Sequence, residues 1–345
     1  MVTRRGPGYC LTMVSSKPGA GPAPIRARAV DGSSAPRIPG RAPHHAHAVM
    51  HCNLNTIDIE RAAAFYMAVF DVEPRMRSVS TDGDSTFMGL GPSTASVTTF
   101  LYDRRGPRAA PALELVGWSR PPTERAGPDL AAPTYTGVGY RVPDLRPVQA
   151  RLAAVGAPAV PVEGGVQVRG ETRRAIRTLD HDGVAVEVIE APAAPDDPPT
   201  AAFSHLRMHS TDLDATVAWF GALGWTVRGR DGAAGTGAWA SLVLPEDPTF
   251  ALEFAEVPAT APGTPRRAST QGLYRMAVAV DDVAAAHDSL VAEAVVGEVP
   301  EPLFVPMPDT PTGGFTVMFL AGPDGAVVEL VSRPRSEVRR PLEPR

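Results

Sequence analysis

Histidine and glutamate recur at matched places along the chain. Their side chains lie among apolar residues, where burying them costs free energy unless they are paired or bind a metal. Two histidines open alternating segments, and four glutamates each interrupt a short apolar run such as Ala112-Leu-Glu114-Leu-Val. A carboxylate among valines and leucines is costly to bury unless it is paired or metal-bound. Imidazole together with carboxylates suits Zn, Fe, Mn, Co or Ni. These residue types are therefore compatible with a divalent metal site, and the side chains that could contribute to one are His51, Glu114, Glu187, His205, Glu253 and Glu329.

Such a site would have a defined chemistry. Three protein ligands leave positions on the metal for water and substrate. A metal that holds two adjacent substrate oxygens would acidify the carbon beside a carbonyl and stabilise an enediolate. A loosely bound glutamate could then move the proton as a general base. The candidate catalytic residues are therefore Glu114, Glu187, Glu253 and Glu329.

A repeated strand–helix pattern positions these residues. The segment from His51 to Asp58 alternates and then becomes helical, with Asp58 as the expected N-cap. The same pattern returns 154 residues later, from His205 to Asp212. Weaker copies begin at Gly137 and near Arg275, and each copy continues into short strand-like stretches that close on a glutamate. The sequence thus predicts an α+β protein of four βαβββ modules.

The alternation of strand residues separates polar from apolar side chains. It places His51, Asn53 and Asn55 on one face of their strand, and Cys52 and Leu54 on the face that packs against the helix. The resulting polar cleft carries further side chains that could contact a substrate. These candidates are Asn53, Asn55, Arg141, Arg207, His209 and Arg275.

Composition divides the chain and excludes several functions. Residues 1–42 carry a net charge of +6 and the remainder −11, so the body is a poor nucleic-acid binder. No apolar run is long enough for a membrane span. The single lysine, Lys17, lies in the low-complexity N-terminus, which argues against a Walker-type phosphate loop. Two cysteines cannot form a disulfide framework, and we expect a cytoplasmic protein.

Proline-rich and glycine-rich stretches mark the expected boundaries. We predict a disordered tail over residues 1–45 and a flexible C-terminus over residues 334–345. The first domain would span residues 46–192, with modules at 46–118 and 134–191. The second would span residues 201–333, with modules at 201–258 and 270–333.

Residues 46–333 resemble the vicinal oxygen chelate superfamily, which includes glyoxalase I, bleomycin- and fosfomycin-resistance proteins, extradiol dioxygenases and methylmalonyl-CoA epimerase. The most specific pieces are His51 to Tyr66, His205 to Phe220, and Gly322-Pro-Asp-Gly-Ala-Val-Val-Glu329. The resemblance implies two tandem domains in which paired modules curl into a cup with a divalent metal on the concave face.

Position by position, the resemblance implies a ligand set in each half. The first half offers His51, Glu114 and Glu187, with Gly137 at the position of a second histidine. The second half offers His205, Glu253 and Glu329, with Arg275 at that position. We favour the first half as the metal site because Gly137 adds no competing charge, although Gly137 and Gly139 could instead leave room for substrate. Arg275 could neutralise Glu253 and Glu329 without metal, or bind an anionic substrate.

Which strands complete each cup is left open by the repeat, and so is the function. The leading hypothesis is a metal-dependent isomerase, epimerase or lyase that acts on a small hydroxy-carbonyl compound, similar to glyoxalase I or to cyclitol epimerases. The second is an Fe(II)-dependent ring-cleaving dioxygenase, in which His209 could supply a second histidine. The third is a non-catalytic small-molecule-binding or antibiotic-resistance protein. The expected partner is a small molecule, without nucleic acid or membrane, and the chain would be a monomer or homodimer.

Overall fold

In the residues that the structure describes, the fold combines two large sheets with four α-helices, as the α+β prediction requires. The computed structural model describes residues 41–192, 200–232, 237–259, 263–307, 310 and 312–341. From Ala42 onward these residues form one compact unit. Each sheet has eight strands, and a separate two-stranded hairpin accompanies the second sheet.

Sheet I contains the first and the last module of the chain. Its strands, in spatial order, are β16 (Leu303–Pro306), β17 (Gly314–Ala321), β18 (Val327–Ser332), β15 (Gly272–Val280), β1 (Ala48–Asn55), β4 (Ala112–Arg120), β3 (Thr94–Tyr102) and β2 (Glu73–Gly83). The two modules join where β1 pairs antiparallel with β15.

Sheet II contains the two middle modules. Its strands, in spatial order, are β12 (Thr226–Asp231), β13 (Trp239–Leu244), β14 (Asp247–Glu256), β11 (Ala202–Ser210), β5 (Tyr135–Val142), β10 (Ala185–Glu190), β9 (Ala175–Leu179) and β6 (Val160–Pro161). Here β11 pairs antiparallel with β5. Each sheet therefore joins one module from each half of the chain, which settles the pairing that the repeat had left open.

Each module carries one helix after its first strand. The helices are α1 (Ile59–Phe70), α2 (Leu145–Ala154), α3 (Leu213–Ala222) and α4 (Val283–Glu293). The predicted N-cap is confirmed, because the Asp58 carboxylate accepts the N–H of Arg61 at 3.0 Å. Asp212 caps α3 through the N–H of Ala215 at 2.9 Å. No helix within the described ranges is both long and apolar enough to cross a membrane.

The helices pack against one face of each sheet. Cys52 and Leu54 are fully buried there together with Tyr66 and Val69 of α1, as the alternation predicts. Phe70 of α1 stacks on Tyr140 of β5 with ring centroids 4.0 Å apart, so the core is continuous between the two sheets. The opposite face of each sheet, which carries the histidines and glutamates, is here called the cup face.

The second module departs from the predicted βαβββ pattern. Between β6 and β9 it inserts a hairpin of two short strands, β7 (Val166–Val168) and β8 (Glu171–Arg173). Val166 and Val168 pack with Ala175 and Ile189. Ala175 and Ile189 are register partners on β9 and β10, so the hairpin lies against sheet II.

The chain ends are more ordered near the body than the sequence suggested. Most of the predicted tail, residues 1–40, lies outside the described residues, but His44 is buried with Nδ1 2.9 Å from the Ser289 hydroxyl. Residues 193–199 of the predicted linker and residues 342–345 also lie outside. In the predicted flexible C-terminus, the Arg340 side chain is only 2% exposed and bonds Asp247 at 2.9 Å. This buried ion pair anchors the C-terminal segment.

Candidate functional site

The cup face of sheet I brings together four side chains from four adjacent strands. His51 lies on β1, Glu114 on β4, Arg275 on β15 and Glu329 on β18. His51 Nε2 is 3.5 Å from one carboxylate oxygen of Glu114 and 3.5 Å from one of Glu329. The edge of its ring meets Phe100, with centroids 5.3 Å apart. This group of His51, Glu114, Arg275 and Glu329 is called centre I.

Arg275 links the two carboxylates of centre I. Its Nη2 donates to both oxygens of Glu114 at 3.0 and 2.9 Å, and its Nε donates to Glu329 at 2.9 Å. Burial alone would raise the pKa of Glu329, but the charge of Arg275 and the nearby His51 outweigh it and hold the pKa at about 2. Burial likewise opposes the charge on Arg275, yet the two carboxylates raise the pKa of the guanidinium above its usual value.

His51 is the residue of centre I whose hydrogen bonding is not satisfied. Its Nε2 is buried and has no hydrogen-bond partner among the described residues. Two ligands of a tetrahedral metal with bonds of about 2.1 Å lie about 3.4 Å apart, close to the two His51–carboxylate distances. By chemical type, a donor set of one imidazole and two carboxylates suits a divalent metal. In the described part of the chain no group of three His, Cys, Asp or Glu side chains is placed so that it could hold a metal ion as it stands. Arg275 bonds both carboxylate oxygens that face His51.

The cup face of sheet II carries the equivalent cluster, called centre II: Glu187, His205, Arg207 and Glu253. His205 is fully buried, with Nε2 3.0 Å from Glu187 and Nδ1 2.8 Å from the Ser204 hydroxyl. Glu187 also accepts from Arg207 at 3.0 Å and, on its other oxygen, from Arg177 at 2.9 Å. Centre II is thus hydrogen-bonded and charge-neutralised within the protein.

The pKa values of the two glutamates of centre II are shifted in opposite directions. Burial would raise the pKa of Glu187, but His205 and Arg207 outweigh it and place the pKa well below its usual range. At Glu253 burial dominates and raises the pKa to about 7, although the Arg169 N–H, Arg207 and the Ser241 hydroxyl oppose it. For His205, burial lowers the pKa despite the adjacent Glu187.

The β7–β8 hairpin closes centre II. The backbone N–H of Arg169, at the hairpin turn with φ +55°, donates to Glu253 at 2.8 Å. The Ser241 hydroxyl donates to the same oxygen at 2.8 Å. Gly170 lies against the backbone of Gly229 on β12. A Cβ atom added at Gly229 would come 2.5 Å from the Cα atom of Gly170. The hairpin therefore supplies a hydrogen bond to Glu253 and packs closely against β12.

The sequence grouped the candidate ligands by half, and the sheets group them differently. Glu187 joins His205 and Glu253, while Glu329 joins His51 and Glu114, because the outer modules share sheet I and the inner modules share sheet II. The expected pairing of Arg275 with Glu253 is wrong for the same reason. Gly137 belongs to sheet II, so its lack of charge gives no ground for preferring His51.

The two glycines of β5 do not leave room for substrate. A Cβ at Gly139 would overlap the imidazole ring of His205, which occupies that space. A Cβ at Gly137 would come within 2.9 Å of the carbonyl oxygen of Ala185. Gly139 is therefore needed for the close approach of His205 to the strand.

Besides Arg275, two of the predicted substrate contacts are bonded within the protein. Asn55 donates to the carbonyls of Ala268 and Thr270 at 2.9 and 3.0 Å and accepts from the Trp118 indole at 3.2 Å. Arg207 is held by Glu187. These two side chains therefore stabilise the fold.

The other predicted contacts differ in their surroundings. Asn53 is fully buried beside Glu114. Arg141 is also buried, on β5. His209 lies half-buried on β11, where burial lowers its pKa. It belongs to sheet II, whereas His51 belongs to sheet I.

Four residues that complete the two centres were not among the candidates predicted from the sequence. Arg177 and Ser241 are register partners of Glu187 and Glu253 on neighbouring strands, and Phe100 is the partner of Glu114. Arg169 contributes through its backbone. The strand pairing that brings them in could have been found by aligning the closing strands of each module with the strand before them.

A cleft of about 730 Å³ lies away from both centres, between the start of α2 and the hairpin. Arg146, Arg173 and Arg174 line it together with Asp144 and Glu190. Arg146 pairs with Asp144, and Arg174 with Glu190. None of the candidate site residues lines this cleft.

Solved structures share the fold over most of the chain. Glyoxalase I from Zea mays, as its V278E mutant, aligns with a TM-score of 0.60 at 18% identity over 84% of this chain and 92% of that one. A putative dioxygenase from Bacillus subtilis aligns with a TM-score of 0.60 at 13% identity over 86% and 92%. No curated protein matches the sequence significantly.

The family model for the Glyoxalase/Bleomycin resistance protein/Dioxygenase superfamily matches residues 48–188 and again residues 202–330. These two regions cover all four strand–helix modules. The chain therefore belongs to this superfamily, as a protein with two tandem vicinal oxygen chelate domains.

Proposed function

We propose that the chain is a metal-dependent isomerase, epimerase or lyase that acts on a small hydroxy-carbonyl compound, with centre I as its working site. The observation that carries the proposal is the buried Nε2 of His51, which has no partner among the described residues and lies 3.5 Å from two carboxylate oxygens. Centre II is the poorer candidate because Glu187 already accepts bonds from His205, Arg207 and Arg177.

Three side chains would hold the metal: His51, Glu114 and Glu329. A divalent cation bound there would polarise a substrate carbonyl and acidify the neighbouring C–H bond. For a metal to bind there, Arg275 would have to release the carboxylate oxygens that face His51. Fe, Zn, Mn, Co and Ni all suit this donor set.

Glu114 is the side chain that we assign to proton transfer. The pKa of Glu329 is held at about 2 by Arg275 against the effect of burial, so this carboxylate stays ionised and suits a ligand role. Glu114 would take the proton from the carbon beside the carbonyl. In an isomerisation Glu114 would return the proton to the adjacent carbon, while the hydroxyl proton passes to the former carbonyl oxygen. An epimerisation would need a second acid on the opposite face of the carbon, while Glu114 keeps the proton it has taken.

A metal-free binding protein is the second candidate, and Arg275 favours it. The guanidinium neutralises Glu114 and Glu329 without a metal. The cup face would then bind a small molecule without chemistry, as in a drug-sequestering resistance protein. An Fe(II)-dependent ring-cleaving dioxygenase is less favoured, because within the described ranges centre I contains a single histidine. Fe(II)-dependent oxygen uptake would support the dioxygenase.

The remaining expectations belong to the same proposal. The partner would be a small molecule, with neither nucleic acid nor membrane, and the chain would act in the cytoplasm as a monomer or homodimer. The acidic body and the buried free thiol of Cys52 support this environment.

Metal content tests the proposal. Protein purified anaerobically without an affinity tag would be analysed for metal as wild type, His51→Ala, Glu114→Gln and Glu253→Gln. We expect a stoichiometric metal in the wild type and in Glu253→Gln, the matched control on the equivalent strand of sheet II, and its loss in His51→Ala and Glu114→Gln. A wild type that takes up none of Fe, Zn, Mn, Co or Ni on reconstitution would contradict the metal and favour the binding protein.

Proton exchange tests the chemistry separately. Hydroxyacetone in D₂O would be followed by NMR for exchange of the hydrogens beside its carbonyl. We expect exchange with the metal-loaded wild type and none with Glu114→Gln. Unchanged exchange in Glu114→Gln would contradict the role of this carboxylate.

A further inference from the structure

Asn53 is a buried polar side chain without partners. It is fully buried on β1, and neither its amide nitrogen nor its oxygen has a hydrogen-bond partner among the described residues. An unsatisfied buried amide destabilises a fold, and such groups in native proteins call for an explanation, often a functional one. The carboxamide offers one donor group and one acceptor, so a matching ligand group must both accept and donate.

Its neighbour on the same face shows that this state is specific to the position. Asn55, two residues further along β1, bonds two backbone carbonyls and the Trp118 indole. The equivalent position on β11 is Arg207, which reaches Glu187 and helps to neutralise centre II. Sheet I therefore has a short unpaired amide where sheet II has a paired guanidinium.

Asn53 lies next to centre I. It is the register partner of Glu114 on β4 and lies on the same strand face as His51. The buried Nε2 of His51 also has no hydrogen-bond partner among the described residues, although two carboxylate oxygens lie 3.5 Å away. Two unsatisfied polar groups on one strand face, two residues apart, indicate a place for the polar end of a ligand.

The last module adds an apolar wall to the same cup face. Phe319 and Val317 of β17 are register partners of Glu329 and Val331, so they share the face of centre I. Phe315 and Phe319 are only partly buried there, packed on Ala277, Val317 and Val331. Phe87, from the turn between β2 and β3, meets Phe319 with ring centroids 5.1 Å apart and extends the wall.

The first module lines the opposite side with hydroxyl groups. Ser78 of β2 is the register partner of Thr98 on β3, and both are half-exposed. Phe100, two residues along β3 from Thr98, is the partner of Glu114, so these hydroxyls also belong to the cup face. The cup face of sheet I thus has an apolar side on β17, whereas its other side mixes these hydroxyls with apolar side chains such as Phe100.

We propose that the cup face of sheet I binds an amphipathic small molecule with a hydroxyl or primary amide at one end and an aromatic or alkyl group at the other. Asn53 reads the polar end beside centre I, and the apolar end lies on the wall formed by Phe315, Val317 and Phe319. The inference takes centre I as the working site from the proposed function. It requires no bound metal, so it is tested separately.

The first experiment needs no ligand. Thermal unfolding in EDTA would compare the wild type with Asn53→Val and with the matched variant Asn55→Val. Asn53→Val removes two unsatisfied groups, so we expect its Tm to rise or to stay within about 2 °C of the wild type. Asn55→Val leaves two carbonyls and an indole N–H unpaired, and we expect a fall of several degrees, about 5 °C or more. An equal fall for both variants would show that Asn53 is structural and would overturn the proposal.

The second experiment uses three related probes. Equilibrium binding of 2-hydroxyacetophenone, acetophenone and hydroxyacetone would be measured by ligand-observed NMR, in EDTA and again with metal. We expect 2-hydroxyacetophenone to bind about tenfold more tightly than either partial probe. Asn53→Val should remove its advantage over acetophenone, and Phe319→Ser its advantage over hydroxyacetone.

The other outcomes of the binding experiment either overturn or support the proposed ligand. Unchanged probe preferences in Asn53→Val, or no binding of any probe in either condition, would overturn the proposal. Probe binding with these preferences but without metal uptake or proton exchange would support it while contradicting the proposed enzyme. Val227→Ala, at an exposed position on β12 of sheet II, serves as the control that should change neither preference.

Discussion

Asp103 and Asp247 make the same contact from opposite sheets. The Asp103 carboxylate accepts the backbone N–H of Phe203 on β11 at 3.0 Å, and the Asp247 carboxylate accepts that of Val49 on β1 at 2.9 Å. Each aspartate also forms an ion pair with an arginine, Asp103 with Arg105 at 2.7 Å and Asp247 with Arg340 at 2.9 Å, and both aspartate side chains are fully buried. Each aspartate with its arginine and its backbone N–H donor is here called a clamp. Each clamp fixes the start of the strand that carries His51 or His205.

Removing one partner of a clamp should destabilise the protein strongly. Arg340→Met leaves the buried Asp247 carboxylate without its cation, and we expect a loss of about 3–5 kcal/mol in the free energy of unfolding. Urea denaturation would measure it. Arg339→Met, at the exposed neighbouring position, should change stability by less than about 0.5 kcal/mol. Equal effects of the two variants would show that the clamp contributes nothing.

Arg275→Leu should make centre I dependent on metal. The substitution leaves Glu114 and Glu329 buried without their shared cation, and we expect a loss of about 3–5 kcal/mol in EDTA. A divalent metal bound by the two carboxylates and His51 would restore stability in proportion to its concentration. Thermal unfolding with and without Mn²⁺ or Zn²⁺ checks this. A variant that metal does not stabilise would argue against centre I as a metal site.

Glu253 should give the stability a pH dependence. Its pKa is raised by burial to about 7 in the folded protein, so the folded state holds a proton that the unfolded chain releases above its ordinary pKa near 4.5. Stability from this group is therefore present at low pH and is lost as the pH rises from about 5 through 7, by up to about 3 kcal/mol.

Two substitutions at centre II separate this effect from others. Glu253→Gln should remove the loss of stability between pH 5 and pH 8 and unfold at higher urea than the wild type at pH 8. Glu187→Gln should be destabilising across the same range, because the pKa of Glu187 is lowered by His205 and Arg207 against burial and its charge is needed. Urea midpoints at pH 5 and pH 8 decide the matter, and parallel pH profiles for wild type and Glu253→Gln would refute it.

Gly139→Ala should destabilise the protein because of the His205 side chain. The new methyl group would overlap the ring of His205, and we expect a cost of about 1–3 kcal/mol. The cost should be smaller when His205→Ala is already present, so the two substitutions should not be additive. Urea denaturation of the four proteins gives the coupling. Additive effects would mean that Gly139 is needed for another reason.

Local features of this protein follow from the sequence alone. Alternation places Cys52 and Leu54 against the helix and His51 and Asn53 on the cup face, because successive strand residues point to opposite faces. Asp58 caps α1 because its short side chain reaches the free N–H of Arg61. The repeat from His51 to His205 predicts the modules and the candidate ligands, since each depends only on residues close along the chain.

Only the tertiary structure decided how the modules pair and therefore which side chains meet. Exposed strand edges can pair with several partners, and no local pattern encodes that β1 joins β15 while β5 joins β11. That choice separates Glu187 from His51 and brings Glu329 to it. It also decides the chemistry. Arg177 and the hairpin complete centre II, whereas on sheet I the Nε2 of His51 and the carboxamide of Asn53 have no hydrogen-bond partner among the residues that the structure describes.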